Sequence, residues 1–296
     1  MAVTAKDVAD LRARTGAGMM DCKKALDETG GDIGKAVELL RVKGMAKAEQ
    51  RAGRTASEGR IVAIVAPGAQ AATLIEVNSE TDFVARNEDF GAFAQTVAEH
   101  VHADDALDGA VYNAAEGSAL AQKYNKDASK TLDEHIKETS AKTGENIVLR
   151  RYARLTSDGT IGSYVHFNGK VAVLVDVLGS NSDAAKDLAK TIAEHVAAGV
   201  PKVPYGVTRD EVPAAEVARE RGIYQEQARQ SGKPDNIVQK MVDGMINKFF
   251  AEVTLLDQPW VRDPSITIKQ LVDAKSKEAG AALSVRRFVR FQMGSE

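Results

Sequence analysis

The chain repeats part of its own sequence, and this repeat limits the folds that it can adopt. At an offset of 100 residues, Glu58-Gly59 matches Asp158-Gly159, and Leu74-Ile75-Glu76-Val77 matches Leu174-Val175-Asp176-Val177. Each copy begins with two strand-like runs separated by a turn, and Asn168-Gly169 in the second copy is a strong signal for a β-hairpin. We therefore expect two related halves, each of which opens with a hairpin.

A helix follows each hairpin, and its position shows where the two copies differ in length. Residues 96–101 of the first copy match residues 191–196 of the second at an offset of 95 residues, not 100. The first copy therefore holds five residues that the second lacks, between its second strand and its helix. This surplus falls within residues 81–87, where extra residues must leave the sheet and lie at the surface.

A third matching element closes each copy. Leu149-Arg150-Arg151-Tyr152 returns at an offset of 136 residues as Val285-Arg286-Arg287-Phe288, so the second copy carries an insertion. Residues 213–250 supply this insertion. Their apolar spacing on either side of Gly232-Lys233-Pro234 predicts two antiparallel helices joined by a turn.

The fold class that these patterns predict is α+β, in four parts. A helical head and linker occupies residues 1–56, and the first core half occupies residues 57–156. The second half consists of residues 157–212 and 251–296, which flank the inserted helical hairpin of residues 213–250. Each half should contain two strands, a helix and a further strand.

Three helices are expected in the head, within residues 4–44. The run Thr15-Gly16-Ala17-Gly18 separates the first helix from the second. Asp32 can cap the third helix, and Gly44 is placed to end it. The polar stretch of residues 45–57 is then expected to be a linker.

Charge is unevenly distributed along the chain. Residues 57–120 carry two basic and eleven acidic side chains, so this segment should repel phosphate backbones. A basic stripe for nucleic acid would have to come from elsewhere, and the best candidate is the set Lys43, Lys47, Arg51 and Arg54. A solvated linker helix explains this near-helical spacing better, so we expect no direct nucleic-acid partner.

Apolar runs in the chain are too short for a membrane protein. The longest, residues 171–175, is far below the roughly 18 residues that a membrane span needs. Charged residues interrupt the first twenty positions, which argues against a secretory signal peptide. The single cysteine, Cys22, fits a reducing compartment. We therefore expect a cytoplasmic protein without a membrane partner.

Residue types that could carry catalysis do not form a site in the sequence. The run from Gly16 to Asp21 ends in Asp where a dinucleotide-binding fingerprint needs Gly. His100 and His195 occupy equivalent places in the two copies, which favours a structural role. Cys22 could act as a nucleophile only beside a base supplied by the fold, and a small residue on the second helix is the simpler interpretation. We expect a binding protein without a cofactor or a metal, and not an enzyme.

The surplus segment presents Asp82 beside Phe83. An exposed Phe next to a carboxylate suits insertion into an apolar cleft of a partner, near a charged site. Alternatively, Phe83 continues the apolar face of the following helix, because it lies seven residues before Phe90. Asn87, followed by Glu88 and Asp89, resembles a new helix start, which places Phe83 before that helix.

Two stretches resemble the characteristic motifs of the bacterial elongation factor Ts family. They are Arg14-Thr15-Gly16-Ala17-Gly18-Met19-Met20-Asp21-Cys22-Lys23-Lys24-Ala25-Leu26 and Glu76-Val77-Asn78-Ser79-Glu80-Thr81-Asp82-Phe83-Val84-Ala85-Arg86. Gly162-Ser163-Tyr164 and Gln258-Pro259 also fall in the family's order, so the resemblance covers essentially the whole chain. It implies a guanine-nucleotide exchange factor for the GTPase elongation factor Tu, with a head similar to ubiquitin-associated domains.

The resemblance also implies which residues contact that GTPase. The family's Thr-Asp-Phe-Val segment disturbs the magnesium site of the GTPase, and its Phe enters between two helices near the nucleotide. Carried over, this role falls to Thr81, Asp82, Phe83 and Val84. The remaining contact residues that the resemblance implies are Arg14, Thr15, Gly18, Met19, Met20, Gly144 and His166.

Some alternatives remain open at the level of the sequence. Met19 or Met20 could instead pack in the small core of the head, and His166 could be a structural histidine in a strand. Thr143 departs from the apolar residue that family members often have before the equivalent of Gly144. A second hypothesis for the whole chain is an adaptor or ribosome-binding module without exchange activity, and a third is a hydrolase that uses Cys22 or a histidine.

Overall fold

The computed structural model describes residues 3–295, which fall into two units. The first unit comprises residues 3–62, 75–153 and 293–295, and the second comprises residues 63–74 and 154–292. Helices and strands are mixed along the chain, which agrees with the predicted α+β class. Among residues 3–295, every helix is too short or too polar to cross a lipid bilayer.

The head contains the expected helices α1 (Ala5–Thr15), α2 (Met19–Glu28) and α3 (Ile33–Arg51). Thr4 caps α1 through reciprocal hydrogen bonds with Asp7, and the Asp32 side chain caps α3 as predicted. A small shared core of buried side chains joins the three helices; it consists of Val8, Leu11, Cys22, Ala25, Leu26 and Ala36. Cys22 therefore has a packing role in the head.

The third helix is longer than expected. The prediction that Gly44 ends α3 is wrong, because the helix continues to Arg51. Gly44 lies where α3 packs against α6 (Leu132–Thr143), and a Cβ atom at this position would come within 3.0 Å of the Ala141 Cβ. The glycine here permits a close helix contact, and the helix-forming residues 45–51 continue the helix. Most of the expected linker is therefore helical.

The first core half is built around a four-stranded sheet. Its strands are β1 (Glu58–Val65), β2 (Ala71–Ser79), β3 (Gly109–Val111) and β6 (Val148–Thr156), in the order β1-β2-β6-β3. The elements between β2 and β6 also include α4 (Asp82–Arg86), α5 (Glu88–His102), β4 (Lys123–Tyr124), β5 (Asp127–Thr131) and α6. Helix α5 buries the apolar face that the sequence pattern predicts, including Phe90, Val97 and Val101.

The second half is built around a three-stranded antiparallel sheet. Its strands are β7 (Thr160–Val165), β8 (Val171–Leu178) and β11 (Ser284–Gln292), in the order β11-β8-β7. Helix α7 (Asp183–Ala198) packs on this sheet, and the remaining elements of the half are β9 (Pro259–Trp260), β10 (Asp263–Thr267) and α10 (Ile268–Ala279). Its core includes Val173, Val175, Leu188 and Ile192.

Two α-helices lie between α7 and β9 of the second half. They are α8 (Ala214–Arg229) and α9 (Asp235–Val253), which pack against each other on either side of a turn at residues 230–234. Ala228, Val238, Val242 and Ile246 form a buried apolar cluster along these two helices.

The two halves share strand order and helix caps, beyond the elements that match in the sequence. The order β1-β2-β6 in the first half corresponds to β7-β8-β11 in the second. Helices α6 and α10 also correspond: Thr131 and Thr267 each form a capping box, and Gly144 and Gly280 each end the helix in the left-handed conformation. Ion pairs match as well: Arg151 with Glu76 at 2.7 Å, where both side chains are buried, and Arg287 with Asp176 at 3.1 Å, where only the Asp is buried.

Candidate functional site

The surplus residues of the first half form a short helix of their own. Helix α4 contains five residues and lies between β2 and α5. In the second half, β8 ends at Leu178 and α7 begins at Asp183, with no helix between them. Asn87 is extended and its side chain accepts a hydrogen bond from the Asp89 backbone at 2.7 Å, which starts α5 as predicted. The alternative, that Phe83 continues the apolar face of α5, is therefore wrong.

Phe83 is the most unusual residue of α4, because its side chain is 84% exposed. A side chain of this kind is ordinarily buried, since burying it stabilises the folded state by about 1.5–3 kcal/mol. Asp82 precedes it and forms an ion pair with Arg86 at 3.1 Å, one helical turn away. Both of these charged groups are accessible to water, so their pairing is weak and Asp82 can change partner at little cost.

Glu145 holds the chain that leads into α4. One of its carboxylate oxygens, Oε2, accepts hydrogen bonds from the backbone N–H groups of Glu80 and Thr81, each at 3.1 Å. The other, Oε1, accepts from the Thr81 hydroxyl at 2.5 Å. The same hydroxyl accepts from the Val84 backbone at 3.4 Å and so caps α4. In return, the Glu80 carboxylate accepts from the Asn146 backbone at 2.6 Å.

Arg60 holds the other end of α4. Its Nε donates to the Ala85 carbonyl at 2.6 Å, and its Nη2 donates to the carbonyls of Arg86 and Asn87 at 3.1 and 3.3 Å. A guanidinium is suited to this place, because the last carbonyls of a helix carry partial negative charge and lack partners within the helix. Gly91 on α5 leaves room for it, since a Cβ there would lie 2.4 Å from Arg60 Nη1.

The head loop between α1 and α2 carries a second set of predicted contact residues. Met19 and Met20 are 55% and 66% exposed, so neither belongs to the core of the head. Thr15 is half-buried and donates its hydroxyl to the Leu11 carbonyl at 2.8 Å, whereas Gly18 caps α2 without a side chain. The two methionines therefore form an exposed, adaptable apolar surface of the kind found at protein interfaces.

A cavity of about 350 Å³ lies beside this loop, between the head and α6. Arg14, Thr15 and Gly18 line it together with apolar side chains that include Val37, Leu40 and Ala141. Within residues 3–295, Arg14 has no ion-pair partner, so its positive charge is available to an approaching protein. Three basic residues on or just after α3 differ in this respect, because Lys43 pairs with Glu28, Lys47 with Asp21 and Arg54 with Glu80.

Gly144 and His166 lie in different units of the chain. Gly144 ends α6 and immediately precedes Glu145, so it belongs to the surroundings of α4. His166 follows β7 in the second unit, where its Nδ1 lies 3.0 Å from the Tyr164 hydroxyl. Its ring lies 4.4 Å from that of Phe167, which is 91% exposed. Phe167 was not among the residues predicted to contact a partner, although its position beside a tight turn was a signal of exposure.

Three residues next to α4 were not predicted from the sequence either: Glu145, Arg60 and Gly91. Each acts through contacts with residues that are distant in sequence, so no local pattern marks it. No group of three or more His, Cys, Asp or Glu side chains that could hold a metal ion occurs within residues 3–295. The surroundings of α4 therefore combine an exposed apolar side chain with charged groups that hold its backbone.

Comparison with known proteins gives the same family that the motifs indicated. The family model described as Elongation factor TS matches residues 80–295. Similar full-length relatives include Elongation factor Ts of Methylococcus capsulatus, 48% identical over 297 residues that span 99% of this chain and 93% of that protein. Elongation factor Ts of Aquifex aeolicus is 43% identical over 296 residues, 99% of each chain. That of Trichlorobacter lovleyi is 42% identical over 300 residues, 99% of this chain and 93% of that protein.

Proposed function

This chain belongs to the elongation factor Ts family, and we propose that it is the guanine-nucleotide exchange factor of the GTPase elongation factor Tu. In this proposal it binds elongation factor Tu with GDP bound and promotes the release of GDP, so that GTP can bind in its place. No covalent bond forms or breaks in the process. Nor does it require a cofactor of this chain or direct contact with nucleic acid.

The exposure of Phe83 on the inserted helix α4 is the observation that carries the proposal. When the two proteins meet, the Phe83 ring leaves water for an apolar cleft near the nucleotide of the GTPase. Asp82 then lies beside the magnesium ion that GDP shares with the GTPase, and the added carboxylate disturbs the coordination of that ion. The weak ion pair with Arg86 leaves Asp82 free for this contact.

Contact through α4 alone is too weak to open the GTPase. Burying one Phe side chain provides about 1.5–3 kcal/mol, whereas moving a two-state equilibrium from 1:99 to 99:1 takes about 5.5 kcal/mol of differential affinity. Other exposed groups must therefore share the interface. The best placed are Met19 and Met20 in the head loop, with Arg14 beside them, and His166 with Phe167 in the second unit.

Release of labelled GDP from elongation factor Tu tests the proposal. The complex is mixed with excess unlabelled nucleotide and a small molar fraction of this protein, and the loss of label is timed. We expect the whole population of GTPase to lose its label faster than with an unrelated protein at equal concentration, because each exchange factor acts repeatedly. A release rate that does not change at any concentration of this protein excludes the proposed function.

A further inference from the structure

We propose that Glu145 and Arg60 are positioning residues for nucleotide exchange: they hold α4 from its two ends and thereby keep Phe83 and Asp82 presented to the partner. This inference rests on the proposed function of α4. Neither residue is proposed to contact the partner, because both act through residues 80–87 of this chain.

Helix α4 is too short to be stable as an isolated helix. It contains five residues, whereas isolated helices shorter than about 12 residues are marginal in water. Tertiary packing would ordinarily stabilise so short a helix, but within α4 only Ala85 is buried and the largest side chain, Phe83, faces solvent. The order of α4 therefore depends on the groups that bind its ends.

Glu145 orders the start of α4 by fixing both the backbone and the capping hydroxyl. Thr81 donates its hydroxyl proton to Glu145, which leaves the oxygen lone pairs directed at the Val84 N–H. Glu145 is itself held on the loop after α6, because the Ser140 hydroxyl donates to its carbonyl at 2.5 Å and the next residue binds Glu80. The carboxylate is thus a fixed anchor for the start of the helix.

Arg60 orders the end of α4 from a strand of the sheet. Strand β1 carries it, and its guanidinium donates hydrogen bonds to the carbonyl oxygens of three consecutive residues, 85, 86 and 87. These carbonyls span the junction between α4 and α5, so Arg60 also sets the direction in which α4 leaves α5. A Lys at this position could bind at most some of these three carbonyls, because its ammonium lacks the planar fork of donors that a guanidinium has.

The second half of the chain supplies an internal comparison. It lacks α4, and it also lacks both anchors: Thr160 stands at the place of Arg60, and Ala281 at the place of Glu145. The position of Gly91 is occupied there by Lys186, since no guanidinium needs the space. The two anchors and the glycine therefore accompany the inserted helix, although the ion pair, capping boxes and strand order of the two halves are shared.

Non-additivity with Phe83 is the test that separates positioning from a general structural role. The variants Glu145→Ala and Arg60→Ala are each measured in the wild-type protein and in Phe83→Ala, by the release of labelled GDP from elongation factor Tu. We expect each to slow stimulated release at least fivefold in the wild-type background and by less than twofold in the Phe83→Ala background. Equal slowing in both backgrounds, or no slowing in either, overturns the inference.

Two further variants and one measurement on the free protein complete the design. Arg60→Lys keeps the charge but not the fork, so it should retain only part of the activity, and Glu38→Ala, an exposed acidic residue of α3, should behave as wild type. Amide hydrogen exchange at residues 84–86 should be at least tenfold faster in Glu145→Ala, with unchanged exchange in β2 and α5. Unchanged exchange at residues 84–86 contradicts the inference even without a partner.

The outcomes also separate this inference from the proposed function. If wild type does not accelerate GDP release, the proposed function fails whatever the anchors do. If wild type accelerates release and Phe83→Ala does not, but both anchor variants match wild type, only the positioning role fails.

Discussion

The histidines of α5, α6 and α7 show how single residues can be structural while resembling catalytic groups. His100 Nδ1 accepts a hydrogen bond from the Asn125 backbone at 3.2 Å, and His195 Nδ1 accepts from the Val261 backbone at the same distance. These two contacts are equivalent in the two halves, which confirms the structural role expected for both histidines. Burial lowers the pKa of each imidazole, because an apolar environment disfavours the charged form.

His135 on α6 is the most strongly affected of these groups. Both ring nitrogens are buried without a hydrogen-bond partner, and the ring stacks on Tyr124 at 4.2 Å between centroids. Desolvation, followed by repulsion from Lys130, lowers the pKa of His135 to about 4. The neutral imidazole is therefore part of the folded structure.

Acid should destabilise the protein through His135. The unfolded chain binds a proton at His135 near pH 6.5, whereas the folded chain binds it only near pH 4. The contribution of neutral His135 to the free energy of unfolding is therefore fully present above pH 6.5 and is lost as the pH falls towards 4. Urea unfolding at pH 7.5 and pH 4.5 measures this loss. We expect His135→Phe to lose about 2 kcal/mol less than wild type between these two values.

The comparison carries its own control, because His100 and His195 remain in the variant and their lowered pKa values still contribute to acid sensitivity. Only the difference between the two proteins reports on His135. An identical loss of stability in wild type and His135→Phe would mean that the ring is already charged, or equally accessible, in the folded protein.

Turns and helix starts could be predicted from the sequence wherever they depend on the conformational preferences of nearby residues. The turn at Asn168-Gly169, the helix cap at Asp32 and the helix start at Asn87 all lie where these residue types predict them. The five-residue surplus was also visible, because two copies in one chain can be compared directly. That the surplus forms a helix was not predictable, since its order comes from Glu145 and Arg60 across the fold.

The end of helix α3 was predicted wrongly, because a tertiary contact and not local sequence explains Gly44. A glycine followed by polar residues favours a helix end, but Gly44 is required by contact with Ala141 on α6. This contact could not be inferred without knowing that the two helices pack together. The same lack of tertiary information explains why Lys43, Lys47 and Arg54 were expected on a solvated linker helix, although each of them pairs with an acidic side chain.

A larger side chain at Gly44 should loosen the contact between α3 and α6. We expect Gly44→Leu to lower the free energy of unfolding by about 1–3 kcal/mol, because the added atoms overpack the interface. Gly244 on α9 is the matched control, since a Cβ there meets no atom within 4 Å. Gly244→Leu should instead raise stability by roughly 0.8 kcal/mol through helix propensity. Urea unfolding of both variants makes the comparison, and equal effects would contradict the proposed packing role of Gly44.

At the scale of the whole molecule, the proposed exchange mechanism needs several contacts that favour the same open state of the partner. The head loop, α4 and the turn after β7 each expose apolar side chains, and none is large enough to act alone. The family and the two motifs were evident from the sequence, and the comparisons agree with them. Which side chains of these segments are exposed could be seen only in the structure.

Thermodynamic linkage makes a prediction about the whole complex. If this protein weakens GDP binding, GDP must weaken the binding of this protein by the same factor. Calorimetric titrations with nucleotide-free and GDP-saturated elongation factor Tu should therefore differ in Kd by at least tenfold, with tighter binding to the nucleotide-free form. Equal affinities would indicate an adaptor that binds the GTPase without exchanging its nucleotide.

The rate of GDP release with α4 variants tests the central role of this helix most directly. Wild type, Asp82→Ala and Phe83→Ala are compared at equal concentrations, with Val42→Ala, another exposed apolar residue, as the control. Loss of the burial energy of Phe83 should slow stimulated release roughly tenfold to a hundredfold, and Asp82→Ala should also slow it, while Val42→Ala matches wild type. If both α4 variants release GDP as fast as wild type, α4 does not open the nucleotide site.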